Sequence, residues 1–170
     1  DQPLQAYLPL DMPLVEGERL ALQEALFLHQ FCSSPAEVQN VCSQLEKGNY
    51  NYSFAKQKEL TAFIREKRSL VQNTLRPRND PKLAHLMQLI KEAGNEKVVV
   101  FCEYHETARS LKDGLKKLIP SLEVDTTVDT PDLDDLLRRF APIANEVLPE
   151  EKNDKEEIQV LIATRSMSEG

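Results

Sequence analysis

Two short apolar runs constrain the fold of this 170-residue chain more than any other feature of its sequence. They are KVVVFCE at residues 97–103 and IQVLIAT at residues 158–164, and both are rich in β-branched residues. Runs that lack the alternation of a half-exposed strand are typical of strands buried on both faces of a parallel sheet. Because parallel strands need long crossover connections, the neighbouring sequence has to supply helices.

The sequence between the two runs supplies such helices. Leucines recur at helical spacing directly after the first run, residues 122–128 form a weaker alternating strand, and Thr130-Pro131 opens another helix. Residues 141–157 are rich in Pro, Asn and Glu and predict a flexible insertion before the second run. The order β-α-β-α-loop-β predicts a doubly wound α/β core with right-handed crossovers.

Residues 18–79 show helical periodicity alone and predict a helical extension in front of that core. Within it, the tetrapeptide SPAE at residues 34–37 combines an N-cap serine, a proline at the first helical position and a glutamate three residues after the cap. Asp80-Pro81 opens the helix that leads into the first apolar run. Residues 1–17 hold three prolines and predict an extended linker.

Composition excludes several classes of protein. No run approaches the ~18 apolar residues that would span a bilayer, and the chain shows no signal-peptide pattern. The three cysteines form no C-x-x-C pair, which is a poor basis for a disulfide framework or a zinc site. We therefore expect reduced thiols in a cytoplasmic protein that does not cross a membrane.

The net charge of −7, from 21 Lys and Arg residues against 28 Asp and Glu residues, argues against a generally basic nucleic-acid-binding coat. The charge is nevertheless uneven. Residues 56–82 hold eight bases and three acids, a local +5, whereas residues 123–157 hold twelve acids and four bases, a local −8. The basic stretch is either a contact to a nucleic-acid backbone or a solvated helix face.

In doubly wound sheets, ligands bind at the carboxyl ends of the strands, where loops lead into helices. The segments that follow the two apolar runs are residues 103–107 and 164–170. None of the five glycines of the chain lies in a phosphate-binding G-x-x-x-x-G-K-[ST] loop. The residues alone therefore predict no ATP site, no catalytic residue and no metal ligand in this chain.

The segment EIQVLIATRSMSEG, residues 157–170, resembles motif V of superfamily 2 helicases, in particular bacterial Snf2-type ATPases, where a strand ends in A-T and continues into S-E-G. Residues 80–118 resemble the helix and motif IV strand that open the second RecA-like lobe of those enzymes. Residues 25–47 resemble the S-S-P helix pair between the two lobes, and RRFAPIAN at residues 138–145 resembles the stretch before motif V. The resemblance covers roughly residues 18–170.

The resemblance implies a RecA-like parallel sheet flanked by helices, in the second lobe of an ATP-driven motor that acts on nucleic acid. Residues 1–17 would be a linker, residues 18–79 the helical inter-lobe extension and residues 80–170 a partial helicase C-terminal domain. The implied partners are double-stranded DNA and the missing N-terminal RecA-like lobe. ATP and Mg²⁺ would bind between the lobes of a longer parent protein, and we expect the present chain alone to be inactive.

The resemblance also assigns roles to residues at both strand ends. Thr164 matches the motif V threonine that contacts a nucleic-acid phosphate, and Arg165 stands where many family members carry Asp and would add a phosphate contact. Tyr104 and His105, in the loop after motif IV, join them as expected nucleic-acid-binding residues. The turn at the nucleotide and lobe interface is matched by Ser168, Glu169 and Gly170.

A different class of protein stays open, namely a non-catalytic α/β module that binds another protein or a small ligand without a motor partner. The two apolar runs discriminate between the alternatives. A RecA-like lobe requires them to be neighbouring parallel strands, and an antiparallel pair or two separate sheets would exclude such a lobe.

Overall fold

The structure, a computed structural model, describes residues 25–49, 57–66, 80–145 and 157–164. The expected linker at residues 1–17 and most of the expected insertion lie outside the described residues. In chain order the elements are a helix that includes residues 25–31 (α1), α2 at Pro35–Lys47, α3 at Gln57–Glu66, α4 at Pro81–Ala93, β1 at Val98–Cys102, α5 at His105–Leu118, β2 at Val124–Thr126, α6 at Leu133–Phe140 and β3 at Val160–Thr164.

The three strands form one parallel sheet in the order β1-β3-β2. Val98 to Cys102 of β1 pair one to one with Val160 to Thr164 of β3, and β2 pairs with β3 from its other side. The two apolar runs are thus neighbouring parallel strands, as a RecA-like lobe requires. The predicted α/β class, a parallel sheet flanked by helices, is confirmed.

Helices cover both faces of the central strand. On one face, α4 and α5 pack against the sheet through an apolar core of Leu83, Ile90, Ala108, Leu111, Leu115, Leu122, Val124, Val128, Val160 and Ile162. On the opposite face, Leu136 of α6 packs with Ile158 and Leu161. All five residues of β3 are buried, as its continuous apolar run predicts.

The prediction that β1 is buried on both faces is wrong. Val98, Val100 and Cys102 pack against the α4–α5 core, but Val99 is 43% exposed and Phe101 is 72% exposed. The physical reason is that β1 lies at the edge of the described sheet, where the α6 cluster reaches β3 only. The apolar run therefore marks a strand with one covered face and one open face.

The helical extension has an apolar core of its own, formed by Phe27, Val38, Val41, Cys42 and Leu45. Ser34 caps α2 as predicted, since its hydroxyl oxygen accepts a hydrogen bond from the Glu37 backbone N–H at 3.1 Å. The helix ends at Gly48, whose φ of 70° suits a residue without a Cβ atom. We call α1, α2 and α3 together the helical unit.

Ile162→Ala removes a fully buried side chain from the central strand, and we expect it to lower the free energy of unfolding by about 2–5 kcal/mol. Phe101→Ala removes a larger side chain that is 72% exposed, so its cost should be far smaller. Urea unfolding of both variants and the parent chain at low protein concentration measures the difference. An equal loss of unfolding free energy in the two variants would show that Phe101 is buried and would contradict the open face of β1.

Candidate nucleic-acid interface

The carboxyl ends of the three strands meet at one edge of the sheet. Cys102 and Thr164 are Cα partners in the parallel ladder, so the chain leaves β1 and β3 side by side. β2 ends next to them, because the Thr127 backbone N–H donates to the carbonyl oxygen of Ile162 at 3.0 Å. This convergence is the usual place for ligands in a doubly wound sheet. The described residues here that the resemblance singles out are Tyr104, His105 and Thr164.

Thr164 ends β3 and is only 2% exposed. Its backbone N–H donates to the side-chain oxygen of Thr127 at 3.2 Å, and the two hydroxyl oxygens lie 3.5 Å apart. The residue therefore ties β3 to the loop after β2, and its hydroxyl is not presented at the surface. The remaining expected site residues lie outside the described part of the chain; they are Arg165, Ser168, Glu169 and Gly170.

Tyr104 and His105 form the junction between β1 and α5. Tyr104 is the N-cap residue of α5 and has an extended backbone, but its side chain makes no capping hydrogen bond. Its hydroxyl oxygen instead lies 2.9 Å from Nδ1 of His29 in α1. His105 is the first residue of α5 and is exposed. The end of β1 thus offers an exposed imidazole and a helix N-terminus whose cap side chain is turned elsewhere.

His29 is a member of this region that sequence reasoning missed. It lies 75 positions before Tyr104, and its side chain is 62% exposed. Its Nδ1 also lies 3.5 Å from a carboxylate oxygen of Glu103, so the imidazole is held between a phenol and a carboxylate. No local pattern signals this contact, because it depends on how the helical unit packs against the sheet.

Three hydroxyl groups, which we call the hydroxyl junction, hold the helical unit against the first turn of α5. Thr107 Oγ1 lies 2.9 Å from Ser33 Oγ and 2.8 Å from Ser34 Oγ. Lys82 reinforces the contact, since its Nζ donates to the backbone oxygens of Cys32 and Ser33 at 3.2 and 2.6 Å. The predicted extension is therefore fastened to the sheet by polar contacts at the strand-end edge.

Glu37 lies next to the hydroxyl junction and is 2% exposed. Burial raises the pKa of its carboxyl group. The side-chain amides of Gln30 and Asn40 donate to its Oε1 at 2.5 and 3.3 Å and offset that rise only in part. The nearby Glu106 carboxylate also raises the pKa of Glu37, whereas His105 lowers it. Protonation of Glu37 therefore favours the folded helical unit.

A bidentate ion pair holds the loop between β2 and α6. Arg109 donates from Nε and from an Nη atom to the two carboxylate oxygens of Asp129, at 2.7 and 2.8 Å, and it also pairs with Glu106. Asp129 has a φ of 61°, a left-handed conformation that is unfavourable for a residue with a Cβ atom. The ion pair keeps this loop in place beside the end of β2.

A cavity of about 270 Å³ lies beside the same loop. Its charged lining includes Lys112, Asp125 and Arg139, and Asp125 accepts from Lys112 at 2.6 Å and from Arg139 at 3.5 Å. Burial alone would raise the pKa of Asp125, but the two cations and the Thr126 backbone N–H outweigh burial and lower it. Because both cations are paired within the lining, the cavity does not provide a ready phosphate site.

The basic stretch at residues 56–82 is described in part. Among the described residues its bases are Lys58 and Arg65 on α3 and Lys82 on α4. Arg65 donates to the backbone oxygen of Glu46 at 3.0 Å, and Lys82 holds the helical unit as described above. Two of these three bases thus serve packing, which favours a structural role for this part of the stretch.

Within residues 25–49, 57–66, 80–145 and 157–164, no group of three or more His, Cys, Asp or Glu side chains is arranged to hold a metal ion. Over the same ranges, no helix is long and apolar enough to cross a membrane.

No family model matches the chain, and no curated protein matches it either. Among solved structures, the chain is similar to the crystal structure of the Pyrococcus furiosus Hef helicase domain, with 20% sequence identity and a TM-score of 0.48. The match covers 86% of this chain and 30% of the other, so the present chain spans less than a third of that helicase domain. At this similarity the likeness carries no information about activity.

Glu37→Gln removes a buried carboxyl group whose pKa is raised in the folded chain. The folded state holds that proton more tightly than the unfolded state, so stability falls as the pH rises from the ordinary Glu pKa to the raised one. We expect Glu37→Gln to be more stable than the parent above that window and to lose this pH dependence. Urea unfolding at a series of pH values measures it, with the exposed Glu96→Gln as control. A variant no more stable than the parent at neutral pH would contradict the raised pKa of Glu37.

Thr107→Val removes the shared hydroxyl of the junction and keeps the side-chain shape. In a double-mutant cycle with Ser34→Ala, we expect a coupling energy of about 0.5–1.5 kcal/mol, because the two hydroxyl oxygens lie 2.8 Å apart. Ser34→Ala alone should cost about 1–2 kcal/mol, since it also removes the α2 cap. As a control, the stability losses of Thr107→Val and of the exposed Ser121→Ala should add in the double variant. Additivity in the first cycle would show that the junction adds no stability.

Proposed function

We propose that this chain is part of the second motor lobe of an ATP-dependent Snf2-type helicase or translocase that acts on double-stranded DNA. One observation carries the proposal. The stretches that resemble motifs IV and V are neighbouring parallel strands, with Cys102 paired to Thr164. The loop after β1 and the end of β3 are therefore close enough for one nucleic-acid strand to reach both.

The chemistry of this edge suits an anionic backbone. α5 has 14 residues and begins here, so its N-terminus directs backbone N–H groups and the positive end of its dipole toward the edge. His105 is exposed at the first helical position, and an imidazole N–H can donate to a phosphate oxygen. In the proposal, these groups contact phosphates together with Arg165, the buried Thr164 holds the end of β3 against the loop after β2, and Tyr104 lies beside them.

The helical residues within 18–79 are assigned to the inter-lobe extension, and residues 80–170 to the lobe itself. The separate apolar core of the helical unit supports this division. The unit meets the lobe through Ser33, Ser34 and Thr107, and through His29, at the edge that is proposed to bind nucleic acid. Movement of the extension relative to the lobe would therefore act directly on the loop at Tyr104.

ATP and Mg²⁺ belong to the parent protein in this proposal, where ATP hydrolysis between the two lobes supplies the free energy for movement along DNA. The residues assigned to that interface are Ser168, Glu169 and Gly170. The described glycines form no phosphate cradle, because Gly48 and Gly94 end helices and Gly114 lies inside α5. We accordingly propose that the chain alone does not turn over ATP.

The test is the DNA-stimulated ATPase activity of the full parent protein with Thr164→Val and Thr164→Ser. We expect duplex DNA to stimulate the unmodified parent, and Thr164→Val to reduce the stimulation about tenfold, because it removes the hydroxyl that lies beside that of Thr127 and positions the strand-end edge. Thr164→Ser keeps that hydroxyl and should stay close to the parent. Thermal unfolding of each variant separates this effect from loss of the fold.

Two results would contradict the proposal at different levels. A parent protein whose ATPase activity no nucleic acid stimulates would favour the non-catalytic interaction module. A parent that DNA stimulates equally with and without the Thr164 hydroxyl would keep the motor assignment and show that this hydroxyl has no part in the strand-end edge.

A further inference from the structure

Glu37 lies where the helical unit meets the sheet. It belongs to α2, which packs against α5, and it is 2% exposed. Ser34 Oγ links the two helices beside it, because this oxygen accepts the Glu37 backbone N–H at 3.1 Å and lies 2.8 Å from Thr107 Oγ1. We call this region the α2–α5 contact. Helices of this chain thus bury the Glu37 carboxyl group by themselves.

The polar groups that face the Glu37 carboxyl group come from three helices. Gln30 of α1 and Asn40 of α2 donate amide hydrogen bonds to its Oε1 at 2.5 and 3.3 Å. From α5, the Glu106 carboxylate disfavours a negative charge on Glu37, whereas His105 favours one. Among the described residues, no lysine or arginine acts on this carboxyl group. A charge here is therefore held by two amides and opposed by a carboxylate of the other unit.

A charge on Glu37 can be accommodated in two ways. The carboxyl group can bind a proton, or the α2–α5 contact can open and admit water. Opening moves Glu37 away from Glu106 and keeps the hydrogen bonds from Gln30 and Asn40, since both donors belong to the helical unit. Hydration of the charge therefore requires separation of α2 from α5, and it does not require either unit to unfold.

We propose that the α2–α5 contact is a proton-sensitive latch, which is closed while the Glu37 carboxyl group is neutral and opens more often when that group is ionised. Burial raises the pKa of Glu37 in the closed form, whereas the hydrated open form has the ordinary carboxyl pKa. As the pH rises from the ordinary pKa to the raised one, the ratio of open to closed form increases by up to about tenfold per pH unit. Below this window the latch stays closed.

The latch controls the loop after β1. His29 belongs to the helical unit, and its Nδ1 lies 2.9 Å from the Tyr104 hydroxyl oxygen and 3.5 Å from a Glu103 carboxylate oxygen. When the helical unit moves away from α5, both contacts are lost and the loop is released. This control is independent of whether the loop binds nucleic acid, so its test requires neither DNA nor ATP.

Thiol labelling of Thr107→Cys measures the opening. The substituted side chain is 8% exposed at the α2–α5 contact, and the natural Cys42, in the apolar core of the helical unit, is the internal reference. At pH 8 we expect the thiol at position 107 to react about fivefold or more faster in the Glu37 chain than with Glu37→Gln. The ratio should approach one near the ordinary carboxyl pKa. Comparing the two chains at each pH cancels the ionisation of the thiol itself.

Urea separates opening from unfolding. Opening exposes little surface, so labelling at position 107 should be insensitive to low urea, whereas labelling of Cys42 should accelerate. After correction for the rates in the unfolded chain, position 107 should also react faster than Cys42. Ser34→Cys places the thiol on the α2 side of the contact, at a side chain that is 6% exposed, and should give the same ratio between the Glu37 and Gln chains.

Two further variants locate the cause. Glu106→Gln should reduce the ratio at pH 8, because it removes the opposing carboxylate on α5; the reduction is partial, since Glu106 also pairs with Arg109. Glu96→Gln, at an exposed glutamate before β1, should leave labelling unchanged. Equal labelling at position 107 in the Glu37 and Gln chains at every pH would overturn the proposal, and so would labelling there that follows the urea dependence of Cys42.

Discussion

The parallel pairing of β3 with a strand on each side is the constraint on which the rest of the structure depends. All five residues of β3 are buried, and its backbone pairs with β1 on one side and with β2 on the other. Because the strands are parallel, their carboxyl ends meet at one edge and the connecting chain has to return across the sheet as helices. The start of α5, the contact between Thr127 and Thr164 and the cavity beside β2 all lie at that edge for this reason.

The strand-end edge is built from two units with separate apolar cores. The sheet supplies the end of β1 and the first turn of α5, while the helical unit supplies His29 and the serines of the hydroxyl junction. The side-chain contacts that join these units at this edge include hydroxyls, an imidazole and a lysine, and α2 also packs against α5. Each hydrogen bond of this kind adds only about 0.5–1.5 kcal/mol of stability, but its directionality fixes the position of the helical unit beside the loop at Tyr104.

Much of the fold could be predicted from the sequence because the relevant signals are local. The serine cap of α2, the aspartate cap of α4 and the continuous burial of β3 each follow from residues within a few positions of one another. The open face of β1 could not be predicted. An apolar run indicates a strand with apolar side chains on both faces, but it does not indicate whether a helix covers each face. The contacts of His29 with Tyr104 and of Ser33 with Thr107 join residues more than 70 positions apart, and no local pattern encodes them.

Binding of nucleic acid at the strand-end edge is tested by titrating the isotope-labelled chain with a short DNA duplex and following the backbone amide chemical shifts. We expect shifts concentrated at residues 103–107, at residues 127–130 and at Thr164, and a loss of these shifts as salt is added. Shifts centred on α3 or on the open face of β1, with the strand-end amides unmoved, would contradict it.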